Sequence, residues 1–182
     1  MHFPASLRRA LLFTALFGSL LVGGLACGPS GDSSSADAEA DTTETIPFTT
    51  EGRLAFIQDG DSTVTIDIEI ADTDSARERG MMQREGFPND RSGMLFVFNN
   101  QQPRSFWMSN TPVALDILFV SADLQIVNIA KYTTPFSSEN YRSGDPAQFV
   151  VEVPAGFADS HGIVEGDRIR WRRLEQQMRN RE

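Results

Sequence analysis

The residues best placed to do chemistry lie between Phe106 and Asp116 of this 182-residue chain, with two charged residues from elsewhere. Phe106-Trp107-Met108 sets three large side chains in a row. Neighbours on a strand point to opposite faces, so Phe106 and Met108 face one way and Trp107 the other. If both faces are covered, all three are core. If one face is open, Trp107 is a platform on which an apolar ring or a sugar can stack. Asn110-Thr111-Pro112 breaks the segment, because Thr111 before proline is held extended. Asp116 then stands at the start of an apolar run, where an unpaired carboxylate is costly to bury. Its expected partners are Arg84, Arg79 or the amides of the Asn110–Pro112 turn. In one reading Asp116 and Asn110 brace that turn. In the other, Arg84, Asn110, Thr111 and Asp116 form the polar rim of a pocket beside the aromatic cluster. Glu152 interrupts Phe149-Val150-Val151-Glu152-Val153 and faces away from Val151 and Val153. It is either a solvent-side residue, the partner of an arginine, or a second carboxylate for general acid–base work with Asp116.

Other chemistries find less support. His161 is the only histidine beyond His2, and its place before Gly162 suits a helix end. With Cys27 the lone cysteine, no zinc-ligand spacing exists. Met81, Met82, Met94 and Met108 read as core filler rather than a copper site. There is no Gly-rich phosphate loop and no nucleophile elbow, and no cofactor is expected. The formal charge is −9. Setting aside Arg8, Arg9 and the five acids of residues 28–50 leaves −6 for the rest, with no basic stripe apparent in the sequence, which argues against nucleic acid as a partner.

The elements that must position these residues are mainly strands. Val64, Ile66, Ile68 and Ile70 alternate with polar residues, which predicts a half-buried strand, and Arg53–Gln58 can pair with it through Asp59-Gly60-Asp61. A helix should start near Asp72–Ser75, with Ser75 and Glu78 at capping-box spacing, and end near Gly80. Met94–Phe98 reads as a strand buried on both faces, followed by a polar loop, Asn99–Arg104. Ser105–Met108 is a short strand. Leu115–Val120 and Leu124–Ala130 form a hairpin. Residues 133–146 are a long loop, Gln148–Val153 a strand, Pro154 the first turn of a short helix, and Asp167–Trp171 a last strand. The fold class is α+β: mostly antiparallel β, a barrel-like curved sheet with two short helices.

The ends carry other signals. Residues 1–26 have Arg8 and Arg9, an apolar run and small residues before Cys27, the pattern of a signal peptide. The small residues before Cys27 resemble a bacterial lipobox, which implies lipidation at Cys27 and anchoring to a membrane. The alternative is an ordinary cleaved signal with an incidental cysteine. Residues 27–50 read as an acidic linker with too few apolar groups to fold, reaching on the order of 25 Å. Gly28, where an inner-membrane protein would carry aspartate, resembles the outer-membrane sorting pattern if the host has two membranes. The folded domain is expected over residues 51–171, with a polar tail over 172–182.

The order of Arg79-Gly80-Met81-Met82-Gln83-Arg84, Gly93-Met94-Leu95-Phe96-Val97-Phe98, Phe106-Trp107-Met108-Ser109-Asn110-Thr111, Leu115-Asp116 and Phe149–Val153 resembles the family known as DUF192 or UPF0127. The resemblance covers roughly residues 64–171. It implies a small α+β domain with a barrel-like sheet, and it implies no reaction. Ala114 stands where many members have proline. Three functional expectations follow. The first is a membrane-anchored, extracytoplasmic domain that binds a small ligand, a sugar or metabolite, or acts as an accessory module. The second is an envelope hydrolase or transferase using Asp116 and Glu152. The third is an assembly factor that binds another envelope protein.

Overall fold

A computed structural model describes residues 46–174. The signal-like segment, Cys27, most of the acidic linker and residues 175–182 lie outside the described residues. Nine strands and two short helices follow in order: β1 (Gly52–Gln58), β2 (Asp61–Ala71), α1 (Asp74–Arg79), β3 (Ser92–Gln102), β4 (Ser105–Phe106), β5 (Leu115–Val120), β6 (Ile126–Ala130), β7 (Tyr141–Arg142), β8 (Ala147–Pro154), α2 (Phe157–Ser160) and β9 (Arg168–Arg173). Seven strands make one curled sheet in the order β6-β5-β8-β3-β2-β1-β9, and β4 pairs with β7 apart from it. The α+β class and the curved sheet expected above are what the chain adopts.

The sheet is mixed. β2 and β3 run parallel, and the other neighbours are antiparallel. A parallel pair needs a crossover, and α1 with the loop after it supplies one. The curl brings the outer strands together at one corner. There Gln125 bridges Arg168, and Ile126 N–H donates to the Asp167 carbonyl at 2.8 Å.

Period-two alternation divides the core into two layers. Leu54, Phe56, Ile66, Ile68, Leu95, Leu118, Val151 and Val153 fill the concave side, closed by Phe157 and Ala158 of α2. Met94, Phe96, Met108, Ile117, Phe119 and Val150 form the second layer on the opposite face. β3 therefore sends Leu95 to one layer and Met94 and Phe96 to the other, as its continuous apolar run predicts. Each fully buried side chain of this size contributes roughly 1.5–3 kcal/mol.

Several local expectations are corrected. The N-cap of α1 is Thr73, whose Oγ1 accepts from Ala76 N–H at 3.2 Å. Thr73 is the last extended residue after β2, while Ser75 already lies in the first turn, so the Ser75–Glu78 box does not form. Asn99–Gln102 continues β3 instead of looping, and the Arg104 guanidinium packs 3.8 Å from the Phe98 ring beneath that extension. Pro154 ends β8 opposite Leu115, and α2 begins only after Gly156, which has φ 84°. The strand at Ser105 lasts two residues and pairs with Tyr141–Arg142, inside the expected long loop. Packed residues begin before 51, since the Phe48 ring meets Phe87 edge-on at 6.2 Å. β9 runs past Trp171 to Arg173.

Candidate functional site

On the face of the sheet covered by α1, a cavity of about 430 Å³ opens between the helix and the aromatic segment. Its walls include Phe96, Phe98, Phe106 and Trp107, with Gly80 and Met81 from the end of α1, Thr111, and Glu152 from β8. Phe106 is the hub of the aromatic wall: its ring meets Phe96, Phe98 and Phe119 edge-on at 5.0, 6.5 and 5.9 Å. Trp107, in the next position, turns the other way and is 55% exposed, so the row of three is not all core. Met108 is buried beneath it and accepts a contact from Thr133 Oγ1 at 3.3 Å.

Glu152 is the unusual member. Across the sheet its register neighbours are Met94 on β3 and Ile117 on β5, and Glu69 on β2 lies beyond Met94 in the same row. Alternation places it on the second layer, away from Val151 and Val153, as expected. That face is covered, however, and Glu152 is only 5% exposed, so neither a solvent-side position nor an arginine partner is found. Its Oε2 has no hydrogen-bond partner among the described residues. Burial pushes its carboxyl up to about 8, so at neutral pH it is mainly the uncharged acid.

Gly80 makes this arrangement possible. It terminates α1 with φ 48° and ψ −129°, a conformation that L side chains avoid. A Cβ there would lie 3.0 Å from Phe96 Cζ and 3.9 Å from Glu152 Oε2. Gly80→Ala is therefore expected to lower stability by about 1–3 kcal/mol, read as a shift of the urea midpoint at constant slope.

The remaining predicted residues stand elsewhere. Asp116 pairs with Val153 across the β5–β8 ladder, so it faces the opposite side of the sheet from Glu152. It is fully buried. Its Oδ1 accepts from Tyr132 N–H at 2.9 Å and Gly156 N–H at 3.1 Å, and its Oδ2 from Ala158 N–H at 2.9 Å. Its partners are thus neither arginines nor the Asn110–Pro112 amides. Opposite faces end the two-carboxylate mechanism with Glu152. Arg84 is buried and paired with Glu69, at 2.6 and 2.9 Å, and does not reach Asp116. Asn110 is exposed with φ 54°, and its carbonyl accepts from Gln83 N–H at 2.8 Å. Thr111 is buried and lines the cavity. The cavity thus brings together Phe106, Trp107, Thr111 and Glu152, and leaves out Arg84, Asn110 and Asp116.

Phe96, Phe98, Arg77 and Gly80 were not among the predicted site residues. The signal for Phe96 and Phe98 was available, because period two places both on the face of Met94. Arg77 reaches the cavity from α1, with its guanidinium 5.3 Å from the Phe98 ring and donating to the Val97 carbonyl at 2.8 Å. His161 caps α2: its Nδ1 lies 3.0 Å from the Phe157 carbonyl and its ring stacks on Phe157 at 4.3 Å. Among the described residues, no group of three His, Cys, Asp or Glu side chains is close enough to hold a metal, and no helix is long and apolar enough to cross a membrane.

This curled sheet, with its aromatic cavity under a short crossover helix, defines a class of small domain. The chain belongs to the DUF192 family, described as an uncharacterised ACR, which matches residues 55–171. Two crystal structures share the fold. One is a protein from Sinorhizobium meliloti 1021 described provisionally as a transcription regulator: 31% identical, covering 69% of this chain and 97% of its own, with a TM-score of 0.65. The other is a protein of unknown function from Novosphingobium aromaticivorans DSM 12444: 30% identical, covering 65% of this chain and 84% of its own, with a TM-score of 0.62. No curated protein matches the chain.

Proposed function

We propose that this domain binds a small uncharged ligand, a sugar or similar hydroxylated metabolite, in the Phe106–Trp107–Glu152 cavity, and that Cys27 anchors it to the outside of a cell membrane. The observation that carries the reading is the unpaired carboxyl of Glu152. A buried polar atom without a partner costs about 1–3 kcal/mol, and a ligand that satisfies it recovers that energy on binding. In its protonated form Glu152 both donates and accepts, which complements a hydroxyl or amide rather than an anion. Phe106 and the exposed indole of Trp107 offer apolar faces to a ring. The volume of about 430 Å³ lies in the range of small-molecule sites. Anchoring rests on the sequence around Cys27. The regulatory role ascribed to the Sinorhizobium protein finds no support in the chemistry of this cavity.

The test is titration of the protein with sugars and neutral metabolites while Trp107 emission is followed, with Trp107→Phe identifying the signal against Trp171. A binding ligand is expected to lose roughly tenfold affinity in Glu152→Ala. Affinity should also weaken as pH rises through about 8, where Glu152 gives up its donor proton. A ligand whose affinity is the same in Glu152→Ala and independent of pH would sink this assignment.

A further inference from the structure

The acidic balance of the chain hides a basic surface that appears only when β1 and β9 pair. Arg53 and Arg172 stand directly opposite each other on the two strands, with Asp67 of β2 next in the row. Arg170 stands opposite Ala55, whose other neighbour is Thr65. Arg170 and Arg172 are two apart on one strand, so they project from the same face about 7 Å apart. Arg53, Arg170 and Arg172 are exposed. Ala55 and Thr65 are too short to fill the space between them, and a groove of about 450 Å³ results, with small residues as its floor and arginines as its walls.

This arrangement runs against local stability. Like charges opposite each other in a ladder are destabilising. Only Asp67 offsets them, 3.3 Å from Arg53, and both partners are well exposed, so the pair is weak. Neither Arg170 nor Arg172 has an ion-pair partner among the described residues. Edge protection accounts for charge on β9, an outer strand, but Arg53 is on β1, an inner strand, where no edge needs blunting. A local rule broken without an internal compensation marks a functional surface.

We infer that this groove is a second binding site, for a small multiply charged anion of the phosphate type, held between the guanidinium forks of Arg53, Arg170 and Arg172. Guanidinium groups match phosphate oxygens in pairs and stay charged at all physiological pH values. The site lies on the convex outer surface of β1 and β9, shares no lining residue with the Glu152 cavity, and stands or falls independently of it.

The experiment is calorimetric titration of the full chain with tripolyphosphate at low ionic strength, comparing wild type with Arg170→Gln/Arg172→Gln. Arg91→Gln/Arg142→Gln removes the same charge from exposed arginines elsewhere and serves as the control. Binding by wild type and control, weakened at least roughly tenfold in the groove variant, is the expected result. Equal affinity in all three proteins, or no binding by wild type, overturns the site. Vesicles containing phosphatidylglycerol and a short DNA duplex form two further arms. Arginine-dependent binding to either, with no binding of tripolyphosphate, also overturns the small-anion assignment and makes the groove part of an extended surface.

Discussion

Asp116→Ala is expected to lower the melting temperature of the domain by roughly 10–20 °C. The carboxylate is fully enclosed and accepts three backbone N–H bonds, from Tyr132, Gly156 and Ala158. These donors belong to the segment after β6 and to the start of α2, so one side chain ties three parts of the chain together. Truncation leaves three N–H groups without acceptors in a site closed to water, at about 1–3 kcal/mol each, part of which relaxation recovers. Asp116→Asn restores only part of the loss, because an amide has one acceptor oxygen and its NH₂ would face an N–H donor. Thermal unfolding of the two variants checks this order. An Asp116→Ala protein that melts within a few degrees of wild type would show that the three amides find other acceptors.

Glu152→Gln is expected to act in the opposite direction and to depend on pH. The folded state holds a proton on Glu152 up to about 8, while the unfolded chain releases it near 4.5. Between those values the folded state binds more protons, so stability falls as pH rises, by about 1.4 kcal/mol per unit. Wild type thus loses up to roughly 5 kcal/mol across that window, and the loss is complete above about 8. Glutamine cannot ionise and escapes this loss. The variant should resemble wild type at pH 4–5 and exceed it by several kcal/mol at pH 9. Urea denaturation of both proteins at each pH isolates the Glu152 contribution, because every other titrating group is common to the pair. Parallel pH profiles would mean that the carboxyl is hydrated in the folded state.

The sequence was most legible where one strand carried its own pattern. Val64–Ile70 alternates cleanly, and the Leu115–Ala130 hairpin and the doubly buried β3 could be placed from local composition. Strand order could not, because β3 lies between β2 and β8 and is joined to β8 by contacts about fifty residues apart. Asp116 shows the limit for single residues. Its type and position said that it needed a partner, and charge suggested arginine. The fold supplied backbone amides up to 42 residues away, which have no side-chain signature. Glu152 was assigned to the correct face, but alternation cannot say whether that face meets water or a second layer. The arginine groove was hidden for a related reason: Arg53 and Arg172 are remote in sequence, and only antiparallel pairing makes them neighbours.

The pairing of β1 with β9 also sets how the domain responds to force. Gly52 stands opposite Arg173, and Leu174 N–H donates to the Glu51 carbonyl at 3.0 Å, so the two ends of the fold leave it side by side. A pull applied between those ends loads the ladder one rung at a time, as a zip opens, rather than shearing all its rungs together. The domain is mechanically soft along this axis, whatever its thermal stability, and the strand that peels first carries Arg170 and Arg172.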